Sequence, residues 1–419
     1  MKKKIVSLIL VITLAFGTLS MSSCYFLGDK LGSLGSLGGS SGGDTTINVT
    51  GGDNYDITIN TQESQDIAAA SKALLSSVSI ICKFSKFSGL SIGGGNQKED
   101  YYSAGSGVIY KLDKENGRAY IITNYHVVFD SEANTANHIS RDISVYLYGQ
   151  EYTNYEMKAT YVGGSMLYDL AVLEIKDSTV LMESAATSAA FADSDEVAVL
   201  EKAIAIGNPE EKGISATVGY INVDSEYIQM TASDAQTTME LRVIRTDAAV
   251  NHGNSGGGLY NAKGEIIGIV NAKMADDSID NIGYAIPSNV ARAVADNIIF
   301  YCRDGNRESV YRVLLGITVK VSESYAEYDK ETGKVRKREV ISVDSIEATS
   351  SVGSYLNIGD IINSITIDGV KHDVTRLFHV VDSMLDARVG SSVVINITRG
   401  EQTLDVTVPI LESMLTAWE

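Results

Sequence analysis

In the stretch TDAAVNHGNSGGGLYN, residues 246–261, Ser255 has Gly253 two positions before it and Gly256, Gly257 and Gly258 directly after it. A serine on so bare a backbone can be approached closely by a carbonyl carbon. Neighbouring N–H groups are then free to hold the negative oxygen that its attack creates. Such a hydroxyl needs a base, and of five histidines His126 stands in ITNYHVV, at the end of an apolar run. The imidazole in turn needs a carboxylate to fix its tautomer, and Asp169 opens the apolar run DLAVLEI. Singly, each residue has a commoner explanation: a glycine-rich surface turn, a structural histidine, an aspartate in a turn before a strand.

The elements around them are short, β-branched and alternating: SAGSGVIYKL, RAYIITNYHVV, ISVYLYG, YEMKATYVG, DLAVLEI, AIAIGNP, ATVGYINV, LRVIRTD and GEIIGIVNAK, separated by glycine or polar turns. That spacing predicts an all-β barrel or sandwich. No helix-length pattern intervenes, which disfavours a doubly wound parallel sheet. PSNVARAVADNIIFYCRDG then predicts a helix with Val290, Val294 and Ile298 on one face. The order His126, Asp169, Ser255 is the one found in the two-barrel β fold among the three orders known for this constellation.

The chain has 419 residues, 44% hydrophobic and 21% charged, and a net charge of -19. Length allows roughly two domains at about 150 residues each, and the acidity argues against nucleic acid as a partner. MKKK followed by the 15-residue run IVSLILVITLAFGTL has the form of a signal peptide over 1–23, since a spanning helix needs about 20 apolar residues. SMSSCYF then resembles a lipobox, which implies cleavage before Cys24 and lipid on its sulfur. Plain secretion or an uncleaved anchor is the alternative. Residues 24–67 continue as a Gly/Ser-rich tether.

Towards the C-terminus, VTRLFHVVDSMLDARVG places Leu377, Val380, Val381, Met384 and Leu385 at helical spacing. Val393, Ile395 and Ile397 alternate on one arm of a hairpin, and Leu404, Val406 and Val408 on the other, across RGEQ.

GSGVIY, ITNYHVV, YDLAVLEI, AIGNP, RTDAAVNHGNSGGGL, GEIIGIV and IGYAIP, in this order, resemble the signatures of the HtrA family of trypsin-like serine proteases. The resemblance implies a mainly β protein: a chymotrypsin-like double β-barrel over 68–300, a linker over 301–312, and a PDZ domain over 313–412. It implies His126 as general base and then acid, Asp169 as its orienting partner, and Ser255 as nucleophile. Gly253, Asn254 and Ser255 correspond to the oxyanion hole, and Leu314, Leu315, Gly316 and Ile317 to the PDZ loop that receives a peptide carboxylate. The expected substrates are unfolded or misfolded polypeptides, the expected assembly a homotrimer held outside the cytoplasm through Cys24, and no cofactor or metal is expected.

Ala249, six residues before the serine, is expected at the base of the S1 pocket and implies a small or medium apolar P1 residue; NAKMADD after GEIIGIV is the alternative source of the pocket's character. Two departures from the family pattern, His252 and Gly258, are expected to loosen the serine loop, His252 being read as an exposed residue without a role. Cys82 and Cys302 lie in apolar segments. The competing functional class is a non-catalytic peptide-binding or holdase protein on the same fold.

Overall fold

The computed structural model describes residues 62–418, apart from 91–95, 152, 210–211, 273–281 and 303–306. It also gives one separate two-stranded pair, β1 (Ile47–Asn48) with β2 (Thr58–Ile59). Cys24 and most of the tether lie outside the described residues.

Helix α1 (Gln62–Leu74) leads into a closed six-stranded barrel of β3 (Ser77–Leu90), β4 (Asn96–Asp113), β5 (Arg118–Thr123), β6 (Asp142–Leu147), β7 (Met157–Ser165) and β8 (Leu170–Ile175), paired in the order β3-β4-β5-β8-β7-β6. Its interior is filled by branched side chains, among them Val78, Ile80, Ile109, Ile121, Ile143, Leu173 and Ile175, each contributing about 1.5–3 kcal/mol on full burial. Between β5 and β6 sits the single-turn helix α2 (Tyr125–Val128), and after β8 comes α3 (Thr179–Glu183). A second closed barrel follows from β9 (Lys202–Gly207), β10 (Ser215–Thr231), β11 (Thr238–Thr246), β12 (Gly258–Tyr260), β13 (Ile266–Val270) and β14 (Gly283–Pro287). The two-barrel expectation therefore holds.

All six residues of β8 are buried, because one face lines the barrel and the other meets the second barrel. Leu170 and Val172 share a core with Ile204 and Ile206 of β9, Tyr260 of β12, and Val290, Val294 and Ile298 of α4 (Ser288–Cys302). Asn297 of α4 binds both polar groups of the Tyr311 backbone, at 2.7 and 2.9 Å, and the carbonyl of Leu385 at 3.3 Å. That helix is therefore fastened to the barrels by apolar packing and to the last third of the chain by hydrogen bonds.

The C-terminal third holds β15 (Val310–Val313), β16 (Ile317–Tyr328), β17 (Val335–Ile346), β18 (Ile361–Ile367), β19 (Val370–Asp373), α5 (Leu377–Ser383), β20 (Ser392–Arg399), β21 (Gln402–Pro409) and β22 (Leu415–Trp418). Strands β16-β17-β18-β20-β21 form one sheet, β19 pairs with β18, and β15 pairs with β22. The stretch expected as a linker, 301–312, thus carries the end of α4 and most of β15. The β20–β21 hairpin turns between Arg399 and Gln402, with Val393, Ile395 and Ile397 buried. Helix α5 stops at Ser383, shorter than the apolar spacing predicts: Met384 and Leu385 are buried, but beyond its last turn. Cys82 and Cys302 are both buried free thiols, and burial pushes the Cys302 thiol up to about 12.

Candidate active site

Strand β5 ends at Thr123, and Asn124 begins α2 without capping it. Its side-chain amide is used elsewhere, donating to the Asp169 carbonyl at 2.8 Å. The next turn of chain delivers His126, whose backbone N–H donates to Asp169 Oδ1 at 3.0 Å while its ring Nδ1 lies 2.7 Å from Oδ2. One residue thus occupies both carboxylate oxygens. Asp169 sits at φ 48° in a turn closed by its N–H on the Met166 carbonyl, a left-handed conformation that aspartate tolerates. It is fully buried, and the Asn271 amide also donates to Oδ2, at 2.6 Å. An ionised Asp169 can only accept, so Nδ1 carries the proton and Nε2 of the neutral ring keeps its lone pair.

Ser255 reaches the same place from the loop between β11 and β12. Gly256, at φ 83°, brings the loop so close to the first barrel that a β-carbon there would overlap the Ser106 carbonyl and the Thr123 hydroxyl. Ser106 of β4 anchors it further. Its N–H donates to the Ser255 carbonyl at 2.8 Å, and its hydroxyl donates to the Gly253 carbonyl at 2.7 Å while accepting from the Asn208 N–H at 2.8 Å. Gly253 has φ 94°. Among the described residues, the N–H groups of Gly253 and Ser255 have no acceptor, whereas those of Asn254, Gly256 and Gly257 donate to Asn251, Val270 and Asn254 carbonyls. Two unspent donors beside a nucleophile are what an oxyanion requires.

The Ser255 hydroxyl accepts from the Ala272 N–H at 3.3 Å, and among the described residues it makes no hydrogen bond to His126. Catalytic hydrogen bonds in ligand-free sites are commonly completed only when substrate enters. The dipeptide Asn271–Ala272 therefore touches both Asp169 and Ser255. It lies just after β13, in the segment that sequence offered only as a pocket wall.

Gly258, expected to loosen the loop, lies in a paired and buried strand. Gly258 is the first residue of β12, paired to Ile206 and Ile269, and a β-carbon there would overlap the ring of Tyr260. Tyr260 is completely buried with its hydroxyl 3.1 Å from Ser77 Oγ, so the missing side chain makes room for a packed ring. His252 is exposed in the turn. Ala249 is exposed and its carbonyl accepts from the Thr217 hydroxyl at 2.9 Å. In the second expected site, Gly316 has φ 66°, Leu315 is buried, Leu314 is exposed and Ile317 begins β16.

The seam between the second barrel and the C-terminal sheet is polar at its centre. Arg242 of β11, 5% exposed, pairs with Asp195 at 2.6 Å and with Asp382 of α5. His379 Nε2 lies 3.4 Å from Asp195, and Arg376 pairs with Asp224 at 3.1 Å. Burial pushes the Asp195 carboxyl up, but His379 and Arg242 outweigh it and hold the group well below the usual range. For Asp382 burial wins over Arg242 and the carboxyl is raised.

Comparison with known proteins agrees with the geometry. The model for the trypsin-like peptidase domain matches residues 105–269. The serine protease Do-like HtrA of Lactobacillus helveticus is 30% identical over 325 residues, 75% of this chain and 70% of that protein. The chain belongs to the HtrA family of serine proteases. The Bacillus subtilis (strain 168) HtrA is 37% identical over 230 residues, 54% of this chain and 45% of that protein, so this HtrA-family chain spans about half the length of that curated relative. Among solved structures, the HtrA-type protease AlgW with a decapeptide matches at 26% identity and TM-score 0.51, over 82% of this chain and 98% of that one.

Proposed function

We propose that this protein is an ATP-independent serine endopeptidase that cleaves unfolded or misfolded polypeptides outside the cytoplasm. His126 Nε2 takes the Ser255 proton as Oγ attacks the scissile carbonyl, and Asp169 holds the ring and offsets the charge that it gains. The oxygen of the tetrahedral intermediate is received by the N–H groups of Gly253 and Ser255, the turn through Asn254 setting their spacing. His126 then protonates the leaving amine, and water resolves the acyl-enzyme by the same steps. The observation that carries this reading is the His126–Asp169 bond in front of a serine loop whose two N–H groups are unspent.

The C-terminal third reads as a PDZ domain over 313–412 that adds a peptide C-terminus beside β16. Two features support it: β16 is an edge strand of its sheet, and among the described residues the N–H groups of Leu315 and Gly316 have no acceptor. AlgW, the solved relative, carries a decapeptide. The periplasmic DegQ of Escherichia coli (strain K12), 32% identical over 268 residues, supports the extracytoplasmic site. Attachment through Cys24 and assembly as a trimer complete the proposal.

The purified chain incubated with reduced casein, beside Ser255→Ala, tests it. Cleavage should fall by about 10⁴-fold or more in the variant, with fold and peptide binding unchanged. Equal turnover by both would discard the mechanism. No turnover by either would favour the holdase reading, which the Ser255–Ala272 contact supports as a resting arrangement. Cys24→Ser should move the protein from the membrane fraction to the soluble one.

A further inference from the structure

The seam also contains a cleft of about 530 Å³ that the proposed peptidase chemistry does not use, within the roughly 300–1,000 Å³ range of small-molecule sites. Its apolar walls come from Met239 and Leu241 of β11, Val290 of α4, and Leu377 and Val381 of α5. Two of its lining residues, Tyr168 and Arg312, carry a buried donor that has no acceptor among the described residues. Tyr168 is 8% exposed, and its hydroxyl has no hydrogen-bond partner among the described residues. Burial raises its pKa, so the hydroxyl keeps its proton. Arg312 of β15 has a buried Nε that is equally without a hydrogen-bond partner among the described residues. Its guanidinium lies 4.2 Å from the centre of the Trp418 ring, and its charge acts on the Tyr168 hydroxyl, so the two donors share one corner.

Two acids border the cleft, and the charge of Asp382 acts on the Tyr168 hydroxyl against that of Arg312. Asp382 is engaged by Arg242, and Glu240 is exposed on β11. A buried donor left unmet is destabilising, and a cation beside an aromatic ring and a protonated phenol makes a receptor for an anion. The apolar walls then call for a tail on that anion. We propose that this cleft binds a monocarboxylate with an apolar tail, its head on Tyr168 and Arg312 and its tail between β11, α4 and α5. The bound molecule would touch the second barrel and α5 together, and Tyr168 directly precedes Asp169. Nothing in this assignment depends on the peptidase reading, since it rests on the seam alone.

Trp418 is the only tryptophan of the chain and borders the cleft, so its emission reports occupancy directly. The purified protein is titrated with decanoate, with 1-decanol and with an acetylated tripeptide ending in leucine. Decanoate should change the emission saturably and bind at least tenfold more tightly than decanol. Arg312→Gln should abolish that preference for acid over alcohol, and Tyr168→Phe should reduce it several-fold, with circular dichroism unchanged in both. Because the preference is measured within each variant, a general loosening of the seam does not mimic the result. Saturation by the tripeptide but not by decanoate assigns the head group to a peptide C-terminus; the reverse assigns it to a fatty acid. Silence of Trp418 towards both up to about 1 mM, equal affinity for acid and alcohol, or a preference that survives Arg312→Gln would each overturn the proposal and leave a water-filled cleft.

Discussion

Asn271 donates its side-chain amide to Asp169 Oδ2 at 2.6 Å, so the oxygen facing the His126 ring is shared with a neutral donor. The next residue, Ala272, donates its N–H to Ser255 Oγ. A shift of this one dipeptide would therefore act on Asp169 and on Ser255, the proposed nucleophile, at once.

Asn271→Ala should lower kcat towards casein-derived peptides by about 10- to 100-fold, since a hydrogen bond to an ionised group is worth about 1.5–3 kcal/mol. KM should change little, because Asn271 is fully buried and its bond is to Asp169. Steady-state kinetics with a chromogenic peptide separates the two. An unchanged kcat would mean that His126 alone fixes Asp169.

Ser106→Ala removes the hydroxyl that donates to the Gly253 carbonyl and accepts from the Asn208 N–H, but leaves the backbone bond to Ser255. The nucleophile should stay in place while the oxyanion donors lose definition. A fall in kcat of roughly tenfold is expected from the bond to Gly253, at about 1–1.5 kcal/mol, with the rate of active-site serine phosphonylation falling in parallel; the lost bond from Asn208 should appear as reduced stability. Loss of folding without selective loss of kcat would assign Ser106 to structure alone.

Gly258→Ala should destabilise the second barrel by about 1–3 kcal/mol, the usual cost of overpacking, because its β-carbon would overlap the Tyr260 ring. Tyr260→Leu should recover part of that loss when combined with it. Thermal unfolding of the four proteins in the cycle measures the coupling, and strictly additive effects would show that the ring yields freely.

Asp195 binds its proton more weakly folded than unfolded. The stability it supplies is complete above its unfolded pKa of about 3.9 and disappears as pH falls through the depressed folded value. Asp195→Asn should cost about 1.5–3 kcal/mol at pH 7. The cost should shrink as pH falls below about 4, which denaturant titrations at pH 7 and pH 3 would reveal. An equal cost at both would place the effect in packing.

The residues of the proposed triad, His126, Asp169 and Ser255, were legible as candidates because each lies in a short motif at an element boundary, where chemistry and turn geometry coincide. Asn271 was not: a lone asparagine after GEIIGIV has no spacing signal, and only the barrel closure of β12 and β13 carries it back to Asp169. Ser106 was visible as part of GSGVIY but as strand, since its three bonds connect it to residues about 100 to 150 positions away. The β16–β17 hairpin is marked in the sequence only at its start, where Ile317, Val319 and Val321 alternate, because the rest of β16 is exposed and carries no such pattern. The end of α5 was overshot for the opposite reason. Met384 and Leu385 keep helical spacing because both are buried, although the hydrogen-bonded turns have already ceased.

Asn297 grips both polar groups of Tyr311 and the carbonyl of Leu385 from a helix whose apolar face is sunk between the barrels. The C-terminal third is thus riveted at two points close to the start of β15. Any swing of that third must first shear those rivets together with the Arg242 pair. Mechanically, the molecule is built to pass on small strains at constant outline, and a wide opening of its two halves would be a rupture event rather than a working stroke.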